Sequence, residues 1–348
     1  MNLFELTRKL IDIPSVTGDE KDVGAFLALH LESLGYRVER QEVAEDRFNV
    51  IATTGVSPRV VFSTHMDTVP PHIVSSEDEK RIYGRGACDA KGIIAAQVTA
   101  AERLRAEGVN EIALLFTVDE ETGSLGAQVA NKNKPAKSPE YLINGEPTDN
   151  KLARATKGSL RLTLTTSGRA SHSAYPEQGD SAIEKLLDIL ERIRKSNWPV
   201  DEILGETTCN IGLISGGTRA NVVPASAQAV LQLRLVSEAG PVKAILEAAI
   251  DGRAEVQYLS EHDPVHLFTV DDLDHCVVRF TTDIPYLSHW GTPLLLGPGS
   301  ILNAHTDHEF IEKLELSEAV ELYTRLVRAL LEKDAGQGVS RVTGGGPR

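Results

Sequence analysis

The sequence contains few cysteines, and those it has are far apart. Among its 348 residues only Cys88, Cys209 and Cys276 are cysteine. An odd number of widely separated cysteines does not suit a small disulfide-linked domain, which needs paired cysteines. The cysteine content therefore excludes a disulfide-rich secreted scaffold and predicts a reducing, cytoplasmic location.

Long hydrophobic runs are also missing. No apolar stretch approaches the roughly 20 residues that a transmembrane helix needs. The first 12 residues contain Glu5, Arg8, Lys9 and Asp12, which is unlike the apolar centre of a signal peptide. We therefore expect neither a membrane span nor a signal peptide, and no membrane partner.

Positive charge is in deficit. Lysine and arginine number 36 against 50 aspartates and glutamates, which gives a formal net charge of −14. Because phosphate binding needs a concentrated basic surface, nucleic acid is not expected as a partner. The surplus of carboxylates fits either a solvated acidic surface or a protein in which some of them hold metal. Hydrophobic residues at 41% and charged residues at 25% are typical of an ordinary globular protein.

Strand and helix patterns alternate in the two outer parts of the chain. Short apolar runs predict buried strands at 59–64, 111–117, 140–143 and 293–296. Helices are predicted between them, and a last helix is predicted from Ser317 to 332. This alternation predicts an α/β fold with a mostly parallel sheet and helices on both faces.

The middle of the chain has a different pattern. Residues 157–263 follow the order β-α-β-β-α-β, with strands that alternate apolar and polar residues, as in a ferredoxin-like α+β unit. We predict an inserted lid or dimerisation domain at 157–263 and a discontinuous catalytic, metal-binding domain at 1–156 and 264–335. The Gly-rich tail at 336–348 is predicted to be disordered.

Possible metal ligands follow four of the predicted strands. The groups are His65-Met-Asp67, Asp119-Glu-Glu121, Gly145-Glu-Pro147 and Ala304-His-Thr-Asp307. Because the carboxyl ends of parallel strands form the ligand crevice of an open α/β sheet, we expect these side chains to converge. Asp89, in a loop that enters a helix, is placed to join them. Each group alone is weak evidence, but their common position predicts a site.

Two histidines with several carboxylates suit zinc or a similar divalent ion. Five ligands exceed the three that one catalytic zinc usually takes, so they fit two ions about 3.5–4 Å apart with a bridging carboxylate. Asp67 is spaced to orient the His65 ring. One glutamate of the Glu120-Glu121 pair is then left to take a proton from water.

The motifs together resemble the di-zinc deacylase and exopeptidase family. They are His65-Met-Asp67, Gly84-Arg-Gly-x-x-Asp89-x-Lys-Gly92, Asp119-Glu-Glu121, Gly145-Glu-Pro147 and Ala304-His305. The family includes acetylornithine deacetylase, succinyl-diaminopimelate desuccinylase, the carboxypeptidase G type and the aminoacylases. The resemblance covers roughly residues 5–332 and is specific for the family rather than for the substrate.

The resemblance implies a role for each matching residue. His65, Asp89 and Glu146 would hold one ion, and Asp89, Glu121 and His305 the other, with Asp89 bridging. Glu120 would be the general base and Asp67 the carboxylate behind His65. Two divalent ions are implied, zinc foremost, with cobalt or manganese as alternatives. A cis peptide between Asp89 and Ala90 is also expected.

The inserted domain and a late glycine loop extend the resemblance to the substrate. His172 would stabilise the oxyanion, in its own active site or in the partner's. Asn221 and Arg219 would face the substrate, where an arginine suits a free carboxylate. Gly299, in Gly297-Pro-Gly299, would let the backbone approach the substrate closely.

The resulting hypothesis is a di-metal amidohydrolase that removes the acyl group from an N-acyl amino acid such as N-acetylornithine or N-succinyl-diaminopimelate. A homodimer through the inserted domain is expected. A dipeptidase or carboxypeptidase of the same family is the alternative, and a catalytically inactive binding relative is a remote one. A dinucleotide site is excluded because the third glycine of the fingerprint is replaced by Asp89. A serine hydrolase is not supported, since the Gly-x-Ser-x-Gly elbow does not occur.

Overall fold

A computed structural model of the chain describes residues 1–133, 135 and 137–336. From residue 337 onward the predicted disordered tail lies outside the described residues. The strands are β1 (Arg37–Ala44), β2 (Arg47–Thr53), β3 (Val60–His65), β4 (Ser76–Glu77), β5 (Arg81–Tyr83), β6 (Ile112–Thr117), β7 (Tyr141–Asn144), β8 (Leu152–Thr156), β9 (Gly158–Ser167), β10 (Val200–Asp201), β11 (Gly205–Glu206), β12 (Thr208–Gly216), β13 (Ser226–Leu235), β14 (Glu255–His262), β15 (Val265–His266), β16 (His275–Val278), β17 (Thr292–Leu295) and β18 (Phe310–Glu312). The helices are α1 (Leu3–Asp12), α2 (Lys21–Ser33), α3 (Lys91–Ala106), α4 (Leu125–Lys132), α5 (Ala182–Arg194), α6 (Ala239–Ile250) and α7 (Lys313–Gly336).

The chain forms two compact units. The first comprises Met1–Ala153, Phe268–His275 and the described residues from Thr282 onward, and the second comprises Arg154–Leu267 and Cys276–Thr281. The catalytic role predicted for the outer segments and the lid or dimerisation role predicted for the insertion remain predictions. No helix within the described residues is both long and apolar enough to cross a bilayer.

The first unit is built on a six-stranded sheet with the order β1-β2-β6-β3-β7-β17. Strands β6, β3, β7 and β17 run parallel to one another, whereas β2 pairs antiparallel with β6 and β1 pairs antiparallel with β2 at that edge. The mostly parallel sheet predicted from the sequence is confirmed.

Both faces of this sheet are covered, because alternate residues of its central strands enter two different cores. Phe62 and Leu114 pack with residues of α1, α2, α3 and α7 on one face. Val61 and Leu115 pack with α4 and Trp290 on the other face. This explains why the strands appear as continuous apolar runs, as is usual for doubly covered parallel sheets.

The last helix begins earlier than predicted. It starts at Lys313, directly after β18, and the prediction that it begins at Ser317 is wrong. The Ser317 hydroxyl donates to the Lys313 carbonyl oxygen at 3.0 Å, one turn back, so this serine lies inside the helix instead of capping it.

The second unit contains a four-stranded antiparallel sheet with the order β12-β13-β9-β14. With α5 and α6 it gives the chain order β-α-β-β-α-β, the ferredoxin-like arrangement that the sequence predicts. Inward residues such as Leu160, Leu231 and Leu186 form a hydrophobic core that belongs to this unit alone.

Candidate functional site

The carboxyl edge of the parallel sheet collects acidic residues and a histidine. His65 is the last residue of β3, Glu120 and Glu121 follow β6, and Glu146 follows β7. Strands β6 and β7 flank β3 in parallel register, with His65 opposite Thr117 of β6. The loops after these three strands therefore open at the same edge, as the sequence predicts.

Asp89 lies between the two predicted histidine ligands. Its Oδ1 is 3.0 Å from His65 Nε2, and its Oδ2 is 3.3 Å from His305 Nε2. Glu121 Oε1 is 3.0 Å from His305 Nε2. Atoms of His65, Asp89 and Glu121 that can bind metal all lie within 4.8 Å of one another. Since each oxygen of Asp89 faces a different histidine, this carboxylate has the placement that a bridging ligand requires. The peptide between Asp89 and Ala90 is cis, as expected.

Glu146 is buried beside this group. Its Oε1 has no hydrogen-bond partner among the described residues. The loop that carries it is joined to the Gly297 loop by Thr148, whose N–H donates to the Gly297 carbonyl oxygen at 3.2 Å. A Cβ at Gly297 would lie 2.4 Å from the Glu146 carbonyl oxygen, so the close approach requires glycine.

Asp67 contacts both the His65 ring and the turn that contains Glu120 and Glu121. Its carbonyl oxygen is 3.0 Å from His65 Nδ1, which leaves Nε2 to face Asp89. Its buried carboxylate accepts hydrogen bonds from the N–H groups of Glu120 at 3.1 Å and Glu121 at 3.2 Å, and from the Thr17 hydroxyl at 2.8 Å. Asp67 therefore orients the His65 ring and fixes the turn that presents the two glutamates.

The pKa values in the site show a surplus of negative charge. Burial opposes protonation of His65, but hydrogen bonds to Asp67 and Asp89 outweigh it and raise its pKa. Hydrogen bonds to Asp89 and Glu121 raise the pKa of His305 to about 10. Burial, and then the charge of Glu146, raises the pKa of Glu120 well above its usual value.

The donor set fits divalent metal ions. Buried carboxylates without matching donors are costly, and a buried oxygen such as Glu146 Oε1 gains a partner when a cation binds. Imidazole nitrogens and carboxylate oxygens from different strands converge on one small volume, as zinc and similar ions prefer. The arrangement therefore suits divalent cations.

Two further buried carboxylates, Asp283 and Glu309, are not among the predicted site residues. Asp283 Oδ2 accepts a hydrogen bond from the Thr117 hydroxyl at 2.7 Å, while its Oδ1 is buried without a partner among the described residues. Burial raises the pKa of Asp283 to about 6. No short motif surrounds Glu309, which only the three-dimensional contacts reveal.

Gly299 lies in the loop after β17 and packs against Cys88, the residue before Asp89. Its φ is +83°, and a Cβ there would meet Ile311 Cδ1 at 2.7 Å and Cys88 Sγ at 3.1 Å. These contacts explain the glycine without a substrate, and its predicted substrate contact remains a prediction.

Gly299→Ala is expected to destabilise the protein by roughly 1–3 kcal/mol, because alanine is strained at positive φ and its methyl group displaces Ile311. Urea unfolding of the metal-free proteins measures the change. Gly55→Ala is the matched control for the left-handed backbone alone, since φ there is +89° and nothing lies within 4 Å. An equal loss in both variants would contradict the steric part of the argument.

The three predicted residues of the insertion lie together within the second unit. His172 is exposed, and its Nδ1 accepts a hydrogen bond from the Ala174 N–H at 3.2 Å. The neighbouring Ser173 N–H donates to the Asn221 carbonyl oxygen at 3.0 Å, and the Arg219 carbonyl oxygen accepts from Val222 N–H at 3.1 Å. The segments that carry them are therefore side by side, and their roles remain predictions.

Comparison with known proteins finds a family model and several relatives that match most of the chain. Residues 61–329 match the model of "Peptidase family M20/M25/M40". A "Peptidase M20 domain-containing protein" of Schizosaccharomyces pombe is 37% identical over 337 residues, covering 94% of this chain and 84% of the relative. A protein of Emericella nidulans described as "Probable carboxypeptidase" is 38% identical over 380 residues, covering 95% of this chain and 90% of the relative.

Solved structures share the fold at low sequence identity. The aminopeptidase PepT of Bacillus cereus aligns with a TM-score of 0.79 at 22% identity, over 95% of this chain and 98% of its own. An M20 family metallo-carboxypeptidase of Sulfolobus solfataricus aligns with a TM-score of 0.75 at 17% identity, over 94% of this chain and 99% of its own.

Proposed function

The chain belongs to peptidase family M20/M25/M40 and is a metal-dependent hydrolase of peptide or amide bonds, and we propose that it acts on the amide bond next to a free C-terminal carboxylate. The observation that carries the proposal is Asp89, with one oxygen facing His65 and the other facing His305. Relatives of 34–38% identity that are described as "Probable carboxypeptidase" support the choice of bond.

Two substrate classes contain this bond. A short peptide loses its C-terminal residue when the bond is cut, and an N-acyl amino acid loses its acyl group. The carboxypeptidase reaction is the first candidate because of the relatives' descriptions. Deacylation of an N-acyl amino acid, the class predicted from the sequence, is the second, since it breaks the same bond and differs only in the group on the carbonyl side.

We propose two divalent ions, zinc foremost. His65, Asp89 and Glu146 would hold one, and Asp89, Glu121 and His305 would hold the other. Such ions polarise the scissile carbonyl and make water a better nucleophile at neutral pH. The surplus of carboxylates in the site supports this assignment, as does the unpaired Glu146 oxygen.

Glu120 is the proposed general base. Its raised pKa suits a group that takes a proton from water and returns it to the departing amine near neutral pH. The residue is half-buried, and its N–H donates to the Asp67 carboxylate at 3.1 Å. This hydrogen bond fixes the backbone of Glu120 without using its side chain, which stays available for the proposed proton transfer.

The remaining proposed roles belong to the insertion. His172 would donate to the oxyanion, in its own site or in that of a partner within a homodimer, and Arg219 with Asn221 would bind the substrate carboxylate. The exposure of all three side chains supports these roles because they are free to meet a ligand. We propose a cytoplasmic enzyme with small substrates.

Blocking the substrate carboxylate is expected to lower kcat/KM by about 10²-fold or more, because the arginine proposed to bind it loses its charged partner. Dipeptides, N-acetyl amino acids and N-succinyl amino acids are each compared with their C-terminal amides. Faster cleavage of the amides, or cleavage only at a free amino terminus, would overturn the proposed bond choice. The ratio of dipeptide to N-acyl turnover separates the two substrate classes.

Arg219→Lys is expected to raise KM by about tenfold with a smaller change in kcat, since lysine keeps the charge but loses the two-pronged contact with a carboxylate. Arg169→Lys, a nearby exposed arginine of the same unit, is the control. Steady-state kinetics on the best dipeptide measures both, and an unchanged KM for Arg219→Lys would remove this residue from substrate binding.

A further inference from the structure

Glu309 is placed against the loop that carries the bridging aspartate. It immediately precedes β18, which pairs with β5 in antiparallel register, Phe310 opposite Tyr83. The pairing continues one residue further, where the Gly84 N–H donates to the Glu309 carbonyl oxygen at 3.0 Å. This small sheet therefore fixes the backbone of Glu309 beside the segment from Gly84 to Asp89.

The Glu309 carboxylate collects the backbone donors of that segment. Its Oε1 accepts from the N–H groups of Gly86 at 3.0 Å, Cys88 at 3.1 Å and Asp89 at 3.1 Å. Its Oε2 accepts from Arg85 Nη1 at 2.6 Å, and both charged side chains are almost completely buried. Glu309 Oε1 thus accepts hydrogen bonds from three backbone N–H groups, and one of these groups belongs to Asp89, the proposed bridging ligand.

Arg85 joins this loop to the segment of the second histidine. Its Nη1 also donates to the Thr306 carbonyl oxygen at 3.1 Å, and its Nε donates to the Pro71 carbonyl oxygen at 3.3 Å. Thr306 directly follows His305. The Arg85–Glu309 pair therefore connects the backbone of Asp89 with the backbone of the histidine that Asp89 faces.

We propose that Glu309 is a positioning residue that sets the Asp89 carboxylate for both metal ions through these three N–H groups. The proposal rests on the metal-dependent function above. A bridging carboxylate must present each oxygen in a separate direction, so a rotation of its backbone affects both ions at once. Removing the Glu309 carboxylate leaves the three buried N–H groups without an acceptor. The loop from Gly84 to Asp89 then relaxes, and this moves Asp89, which both proposed metal sites share.

The test uses a charge-neutral pair of variants, because removing Glu309 alone leaves a buried arginine unpaired and confuses folding with positioning. Arg85→Met/Glu309→Gln keeps an acceptor for the three N–H groups, whereas Arg85→Met/Glu309→Met removes it at similar size. Metal-free full-length protein is titrated with Co²⁺, by calorimetry and by visible absorption. Metal-free thermal unfolding measures the effect on the fold separately.

We expect the Glu309→Met double variant to bind Co²⁺ about 10–100-fold more weakly than the Glu309→Gln double variant, with an altered d–d absorption band. Glu140→Gln is the control. It breaks an ion pair with Arg59 at the amino ends of β3 and β7, and it should leave the Co²⁺ affinity and spectrum unchanged.

Equal Co²⁺ affinities and spectra in the two double variants would overturn the positioning role while leaving the proposed function intact. Absence of Co²⁺ binding by the wild-type protein would overturn both. If the Glu309→Met variant does not fold, Arg85→Met/Glu309→Asn replaces it, because its acceptor is one methylene too short to reach the three N–H groups. The same weakening of Co²⁺ binding is then expected.

Discussion

Glu120→Gln is expected to lower kcat by about 10²–10⁴-fold, the usual contribution of a general base, with little change in KM. Glutamine keeps the size of the side chain but cannot take a proton. The turn should be preserved, since the hydrogen bond from residue 120 to Asp67 uses the backbone N–H. The measurement is steady-state turnover of the best dipeptide, together with the metal content of the purified protein.

The metal content of the variant distinguishes a general base from a metal ligand at position 120. Glu120 is proposed as the general base and is not one of the five proposed ligands, so the variant should keep as many ions as the wild type. Glu79→Gln, at an exposed position of the same unit, serves as the control. Full activity of Glu120→Gln would remove the mechanism, and loss of metal together with activity would make Glu120 a ligand.

Asp89→Asn should release both ions, whereas His305→Ala should release one. The difference follows from the distances, because one oxygen of Asp89 faces each histidine and His305 faces only Asp89 and Glu121. Asparagine offers one oxygen in place of two. The affinity loss should exceed the 10–100-fold that substitutions behind a ligand usually cost. Ions per chain after dialysis against metal-free buffer give the result.

Thermal unfolding provides a second measurement. A ligand that binds only the folded state stabilises it, by about 4 kcal/mol at 1,000 times its dissociation constant. Added Zn²⁺ should therefore raise the Tm of the wild type most, that of His305→Ala less, and that of Asp89→Asn least. Two ions retained by Asp89→Asn, or the same loss in both variants, would contradict a shared ligand.

The sequence predicts those site residues whose ligand side chains lie at or just after the end of a strand. His65 ends β3, and Glu121 and Glu146 lie in the loops that follow β6 and β7, so the parallel sheet itself brings them to one edge. The fold class could be anticipated for the same reason, since the buried runs of these strands have a strong apolar signal. The confirmed sheet and the convergence of His65, Asp89 and Glu121 both follow from that one pattern.

Glu309 could not be found in this way. Its partners are backbone N–H groups more than 200 residues earlier in the chain, and a backbone donor leaves no residue type to recognise. The predicted beginning of α7 at Ser317 is wrong for a similar reason. Ser317 is a residue type that often caps helices. The helix nevertheless begins at Lys313, because the pairing of β18 with β5 fixes the chain immediately before that residue.

The first unit consists of segments that are far apart in the sequence. This arrangement has a consequence for its synthesis on the ribosome. Asp89 emerges early, but His305 follows it by 216 positions, which takes roughly 10–40 s at about 5–20 residues per second. The second unit, whose core uses only its own residues, is completed during that interval, whereas β18 and α7, which contribute to the core of the first unit, come after His305. All five proposed ligands are therefore present only when the polypeptide is nearly finished, and a product truncated before His305 would lack one proposed ligand and two elements of the first unit.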